Sequence, residues 1–142
     1  MNKLALSDEI LLNIDKPARY IGHEVNAVMK DKEKVEVRFA MCFPDVYEIG
    51  MSHLGIQILY DMFNSWEDTW CERVYSPWVD LDKIMREKGI PLFALESQDP
   101  VKDFDFLGIP FSMKCVIQTF SKSWICQAFL CWHRTGMNLI PL

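Results

Sequence analysis

"CFPDVYEIGMSHLGIQILYDMF", residues 42–63, decides how the chain is read. An apolar run ends at Phe43, a polar turn follows, and an amphipathic helix begins near Ser52. Leu54, Ile58, Leu59, Met62 and Phe63 recur at spacings of three and four, which predicts one apolar helix face toward a core. Ser52 stands where an N-cap is expected, because its hydroxyl can accept a free amide of the first turn. Upstream, Val35, Val37 and Phe39 alternate, and the run then becomes continuously apolar to Phe43. That is the pattern of a strand over 34–43 entering a sheet covered on both faces.

The same grammar continues downstream. "CERVYSP" (71–77) reads as a short strand closed by Pro77. "WVDLDKIMREKG" (78–89) reads as a helix with Trp78, Leu81, Ile84 and Met85 inward, Lys88 in its last turn and Gly89 at its C-terminal cap. "IPLFALES" (90–97) reads as a buried strand, and "DFDFLGI" (103–109) as another. Strands separated by helices of about a dozen residues predict crossover units and a mostly parallel sheet. Ahead of them, "KPARYIGHEVNAVMKD" (16–31), with Arg19, Tyr20 and His23, reads as an irregular arm packed across the sheet edge.

Composition narrows the function classes. With 142 residues, half of them hydrophobic, the chain can bury one ordinary core. A net charge of −5 argues against coating nucleic acid. No run approaches the roughly 18 to 20 apolar residues that span a bilayer. Asp8 and Glu9 break the N-terminal apolar patch, so no signal peptide is read and the expected location is cytoplasmic. Cys42, Cys71, Cys115, Cys126 and Cys131 include no C-x-x-C pair, so neither a disulfide scaffold nor a metal site is expected.

In an open parallel sheet, ligands bind beyond the carboxyl ends of the strands, where the strand order reverses. "PDVYEIGMSH" leaves the first strand there, so Asp45, Tyr47, Glu48, Gly50, Ser52 and His53 are the candidate ligand-holding residues. Gly50 permits backbone angles closed to other residues, and the amides opening the helix at Ser52 can face an anion. For His53 to bind a metal it needs a group that fixes its tautomer, and Asp45 and Glu48 are near enough in sequence to be considered, but the favoured expectation for a histidine in the first turn of a helix is a solvent-edge or capping group. Neither G-x-G-x-x-G nor G-x-x-x-x-G-K-[ST] occurs, so no dinucleotide or phosphate loop is indicated.

Together, "KPARYIGHEVNAVMKD", "VEVRFAMCFPDVYEIGMSHLGIQILYDMFN", "CERVYSPWVDLDKIMREKGIPLFALES" and "DFDFLG" resemble the N-terminal region of a B12-binding-type radical S-adenosylmethionine (SAM) protein family, over about residues 10–108. The resemblance implies a Rossmann-like, cobalamin-binding-type three-layer α/β sandwich at 34–108, behind an arm at 1–33. In full-length relatives such a domain precedes a barrel whose C-x3-C-x2-C cysteines bind a [4Fe–4S] cluster and S-adenosylmethionine. That triad does not occur here, so the expectation is a truncated domain whose missing partner is the barrel. The cobalamin motif D-x-H-x-x-G is not matched either: aligned on His53, Met51 replaces the aspartate and Ile56 the glycine.

Residues 109–142 depart from this pattern. All 20 Asp and Glu lie at or before Asp105, three of the five cysteines lie beyond it, and the resemblance stops at Gly108. A shifted reading frame accounts for all three. Single-codon residues force Met113–Lys114 to encode Glu and Trp124–Ile125 to encode Asp in the neighbouring frame. Permitted codons then allow S-F-Q-Y-E-M-C-Y-T-N, which resembles what relatives carry next. The competing expectation is a genuine amphipathic helix at 112–134 that completes the core. Two other functions remain open: a stand-alone module that docks partners through this tail, and a small enzyme using Asp45, Glu48 and His53.

Overall fold

The run from Val37 to Phe43 forms strand β1, and its alternation divides it between two cores. Met41 and Phe43 point to one face, with Ile56, Tyr60 and Cys71. Ala40 and Cys42 point to the other, with Val74, Ala94 and Phe104. This computed structural model describes residues 6–109. Two short helices come first, α1 (Asp8–Leu12) and α2 (Ala18–Ile21). After β1 come α3 (Tyr47–Met51), α4 (Leu54–Asn64), β2 (Thr69–Tyr75) and α5 (Val79–Lys88). A 3-10 turn at Val101–Asp103 leads into β3 (Phe106–Gly108).

The three strands are parallel, in the order β2-β1-β3. This is the α/β, mostly parallel, Rossmann-like arrangement expected from the sequence. The crossover from β1 to β2 runs through α4 over one face. The path from β2 to β3 closes the other face with residues 92–104. The order therefore reverses between β1 and β3, which is the switch point of a doubly wound sheet. A third core joins Leu6, Ile10, Ile14 and Tyr20 to Leu81, Met85 and Phe93, so the arm and α5 share apolar cover. Among the described residues no helix is long and apolar enough to cross a membrane.

Several sequence expectations need correction. The helix expected from Ser52 is two helices: Ser52 is the C-cap of α3, and His53 is the N-cap of α4. The expected apolar face of α4 points outward, since Leu54, Ile58, Leu59 and Met62 are exposed while Ile56 and Tyr60 are buried. Trp78 caps the start of α5 from outside, where Arg19 lies over its ring at 5.3 Å. Leu81 and Met85 are inward, and Gly89 ends α5 in the left-handed region at φ 65°, both as expected.

"IPLFALES" is not a strand. Phe93 makes an isolated antiparallel bridge to Pro100, and 95–97 form a turn. Two buried carboxylates explain this. Glu96 accepts the Arg73 amide at 2.8 Å and its Nε at 2.7 Å, while Glu72 accepts the Ser97 amide at 2.9 Å. Beside β2, side-chain oxygens thus do what a neighbouring strand's carbonyls would do, and only Leu95 adds a backbone bond, to the Arg73 carbonyl. The expected tail at 109–142, including the helix at 112–134 and Cys115, Cys126 and Cys131, lies outside the described residues beyond Ile109.

Candidate functional site

The segment leaving β1 stands at the carboxyl rim of the sheet, because β1 runs parallel to both neighbours and ends at Phe43. There the structure divides the six candidate residues. Asp45, Tyr47, Glu48 and Gly50 turn toward β2 and the arm, whereas Ser52 and His53 stand at the start of α4.

On the β2 side the contacts are specific. The Asp45 carbonyl accepts the Ser76 amide at 2.9 Å, and Asp45 Oδ1 accepts the Val46 amide at 2.7 Å. Tyr47 donates its hydroxyl to Glu24, which also holds Arg73 Nη1 at 2.8 Å. Burial and the hydrogen bond to the Glu24 carboxylate push the Tyr47 phenol up to about 12. Glu48 meets Arg19 Nε at 2.7 Å and Lys16 Nζ at 3.5 Å. Desolvation is the largest single influence and raises that carboxyl, but the Arg19 hydrogen bond and charge, its own backbone amide and the Lys16 bond together outweigh it and hold it below its ordinary range. Gly50 is needed for space rather than for unusual angles. It sits in α3, and a Cβ there would fall 2.6 Å from Tyr75 Cδ1 and 2.9 Å from Phe43 Cδ1.

On the α4 side, Ser52 Oγ donates to the Ile49 carbonyl at 2.9 Å, closing α3. His53 sets its ring 5.4 Å from that of Phe43. Among the described residues neither Asp45 nor Glu48 bonds this imidazole, because each is engaged as above. No group of three or more His, Cys, Asp or Glu comes together as a metal site among the described residues.

The residues present do not fit histidine-ligated cobalamin. The motif around His53 is broken at Met51 and Ile56, no carboxylate among the described residues orients its ring, and its backbone serves as the cap of α4. Nor do the described thiols fit an iron–sulfur cluster. Cys42 and Cys71 are both buried, and burial pushes the Cys42 thiol up to about 12 and raises that of Cys71, away from the thiolate a cluster requires.

Sequence reasoning missed the partners from the arm. Glu24 and Arg19 fasten the rim segment, and Arg73 and Glu96 anchor Glu24 from below. Burial raises the Glu96 carboxyl, and the Arg73 guanidinium opposes that rise. No local pattern marks these residues, since the pairs are separated by 23 to 49 positions. Their one signal is two arginines and two glutamates within stretches otherwise read as apolar or irregular.

No curated protein and no solved structure matches the chain. Residues 55–120, from the first turn of α4 to beyond Gly108, match the family model described as radical SAM proteins, N-terminal, which supports a radical SAM family protein.

Proposed function

We propose that this chain is a ligand-holding α/β domain of a radical SAM protein, of the cobalamin-binding-domain type, and is not catalytic alone. The match of residues 55–120 to the N-terminal region of such proteins carries the reading. It is supported by a parallel sheet whose order reverses between β1 and β3, the place where such folds hold ligands. Cluster chemistry belongs to a different domain on this reading, because the 142 residues hold no C-x3-C-x2-C triad and Cys42 and Cys71 are buried thiols. A ligand in the β1–β3 crevice is held without cobalt ligation by His53.

Anaerobic reconstitution with iron, sulfide and S-adenosylmethionine tests the central point. The expected result is no stoichiometric cluster and no cleavage of S-adenosylmethionine, and a stoichiometric [4Fe–4S] absorption overturns the reading. Titration with hydroxocobalamin forms a second arm: a spectral change lost in H53A would reverse the conclusion about His53. The reading also takes residues 109–142 as out of frame, although the family match runs to residue 120. The codons from 105 onward decide that point, since codons incompatible with the second-frame peptide remove it.

A stand-alone partner-binding module is the second reading, and the open apolar side of α4 favours it. A downstream reading frame opening on the three barrel cysteines would decide for the first.

A further inference from the structure

The turn between α4 and β2 surrounds a positive charge with backbone oxygen. Lys30 Nζ donates to the Asn64 carbonyl at 2.9 Å, to the Thr69 carbonyl at 2.6 Å and to the Trp66 carbonyl. An ammonium has three N–H donors, and here each goes to a carbonyl rather than to a carboxylate. All three oxygens come from one short stretch, 64–69, and close on one point. Two features make that point negative. Helix α4 ends there with no basic residue in its last turn, so its terminal carbonyls and the negative end of its dipole lack a local cation. Glu67 and Asp68 lie in the same turn. The cation comes instead from the arm, 34 positions before Asn64.

The cage does not owe its shape to Lys30. The Asn64 side chain bonds the Cys71 amide and carbonyl at 3.0 Å each, and the Ser65 amide bonds the Asp61 carbonyl at 2.9 Å. The Asp68 carbonyl accepts the amides of Glu36 at 2.8 Å and Val37 at 3.1 Å, while the Trp66 ring meets Phe63 edge-on at 5.8 Å. These bonds brace the turn on both sides of each carbonyl that Lys30 uses. The arm is fixed independently as well. Val28 gives its amide to Tyr60 Oη at 2.7 Å, and its carbonyl accepts Trp70 Nε1 at 2.9 Å. Shortening Lys30 therefore uncovers three carbonyls that other contacts hold in place.

We propose that this turn is a monovalent-cation site of the potassium and ammonium class, which the chain fills with its own Lys30 ammonium. Backbone carbonyls can replace the hydration shell of potassium, and the ammonium on Lys30 is already held in that way. Divalent ions fit less well. Calcium and magnesium are held through carboxylates and magnesium gives up its water reluctantly, whereas the three groups on Lys30 are uncharged. The site lies at the amino end of β2, so it is independent of any ligand at the carboxyl rim.

The test melts the full 142-residue chain and its Lys30→Ala variant in potassium, ammonium, sodium and choline chloride at one ionic strength, followed by circular dichroism. The wild type should melt at nearly the same temperature in all four salts, because its own ammonium occupies the cage. Lys30→Ala should melt about 5 °C or more below the wild type in choline, which is too large to enter. Potassium and ammonium should recover at least half of that loss, increasingly with concentration, and sodium less. Should Lys30→Ala be unfolded in choline, a folded spectrum regained in potassium or ammonium is the same result. An equal loss in all four salts makes Lys30 a plain helix cap and overturns the cation site. So does a variant that melts with the wild type in choline, or one that stays unfolded in every salt. Recovery in sodium equal to that in potassium overturns the assignment to this class of ion.

Discussion

Gly50 shows how a residue can be singled out for one reason and be needed for another. Its place after a strand suggests backbone freedom, yet the glycines with positive φ among the described residues are Gly22 and Gly89. Gly50 is helical, and what it supplies is room for the Tyr75 and Phe43 rings. Gly50→Ala should therefore overpack the rim and destabilise the fold by about 1–3 kcal/mol, read from the urea midpoint. An unchanged midpoint would show that the rings can move aside. His53 is expected from the sequence to be a solvent-edge or capping group rather than a ligand, and it is the N-cap of α4, although that helix starts at Leu54 and not near Ser52. Glu24 was invisible as a site residue because its partners, Tyr47 and Arg73, are 23 and 49 positions away.

The elements were legible in different degrees. Helix α5 carries both of its signals locally, with Leu81 and Met85 at helical spacing and a glycine at its end. Gly89 is left-handed with nothing near a Cβ, so Gly89→Ala should cost about 1 kcal/mol through backbone strain alone. Gly22→Ala should cost more, because its Cβ would also strike the Leu95 carbonyl oxygen. Thermal melts of the two variants check the ranking, and equal losses would contradict the crowding at Gly22. Helix α4 buries a different side from the one its spacing predicts, for a physical reason. Apolar residues at 54, 56, 58, 59, 60, 62 and 63 surround most of it, so periodicity supports more than one buried face. Contact with Met41, Phe43 and Cys71 selects Ile56 and Tyr60.

At the scale of the whole molecule, two ion networks lie on opposite faces of β2. One joins Arg73 to Glu96 and Glu24, and the other joins Arg38 to Glu72 and Asp99, with Lys32 also on Asp99. Burial pushes the Asp99 carboxyl up, but the Lys32 hydrogen bond and the Arg38 and Lys32 charges prevail and hold it below its ordinary range. A depressed carboxyl means that the unfolded chain binds the proton more readily. Its contribution is therefore present above the unfolded value, about 3.9, and is lost as pH falls through the lower folded value. Asp99→Asn should accordingly be less stable than the wild type at pH 7, with the difference narrowing as pH falls below about 4. Urea midpoints across that range check it, and a constant difference would remove Asp99 from the acid response. The parallel crossover fold and the capped end of α5 followed from the sequence alone, because alternation, helical spacing and glycine act between near neighbours. Only the tertiary structure decided which side of α4 is buried, why 90–97 is not a strand, and how the rim residues divide between β2 and α4. Those outcomes depend on buried carboxylates and rings meeting partners far away along the chain, and no local pattern encodes such meetings.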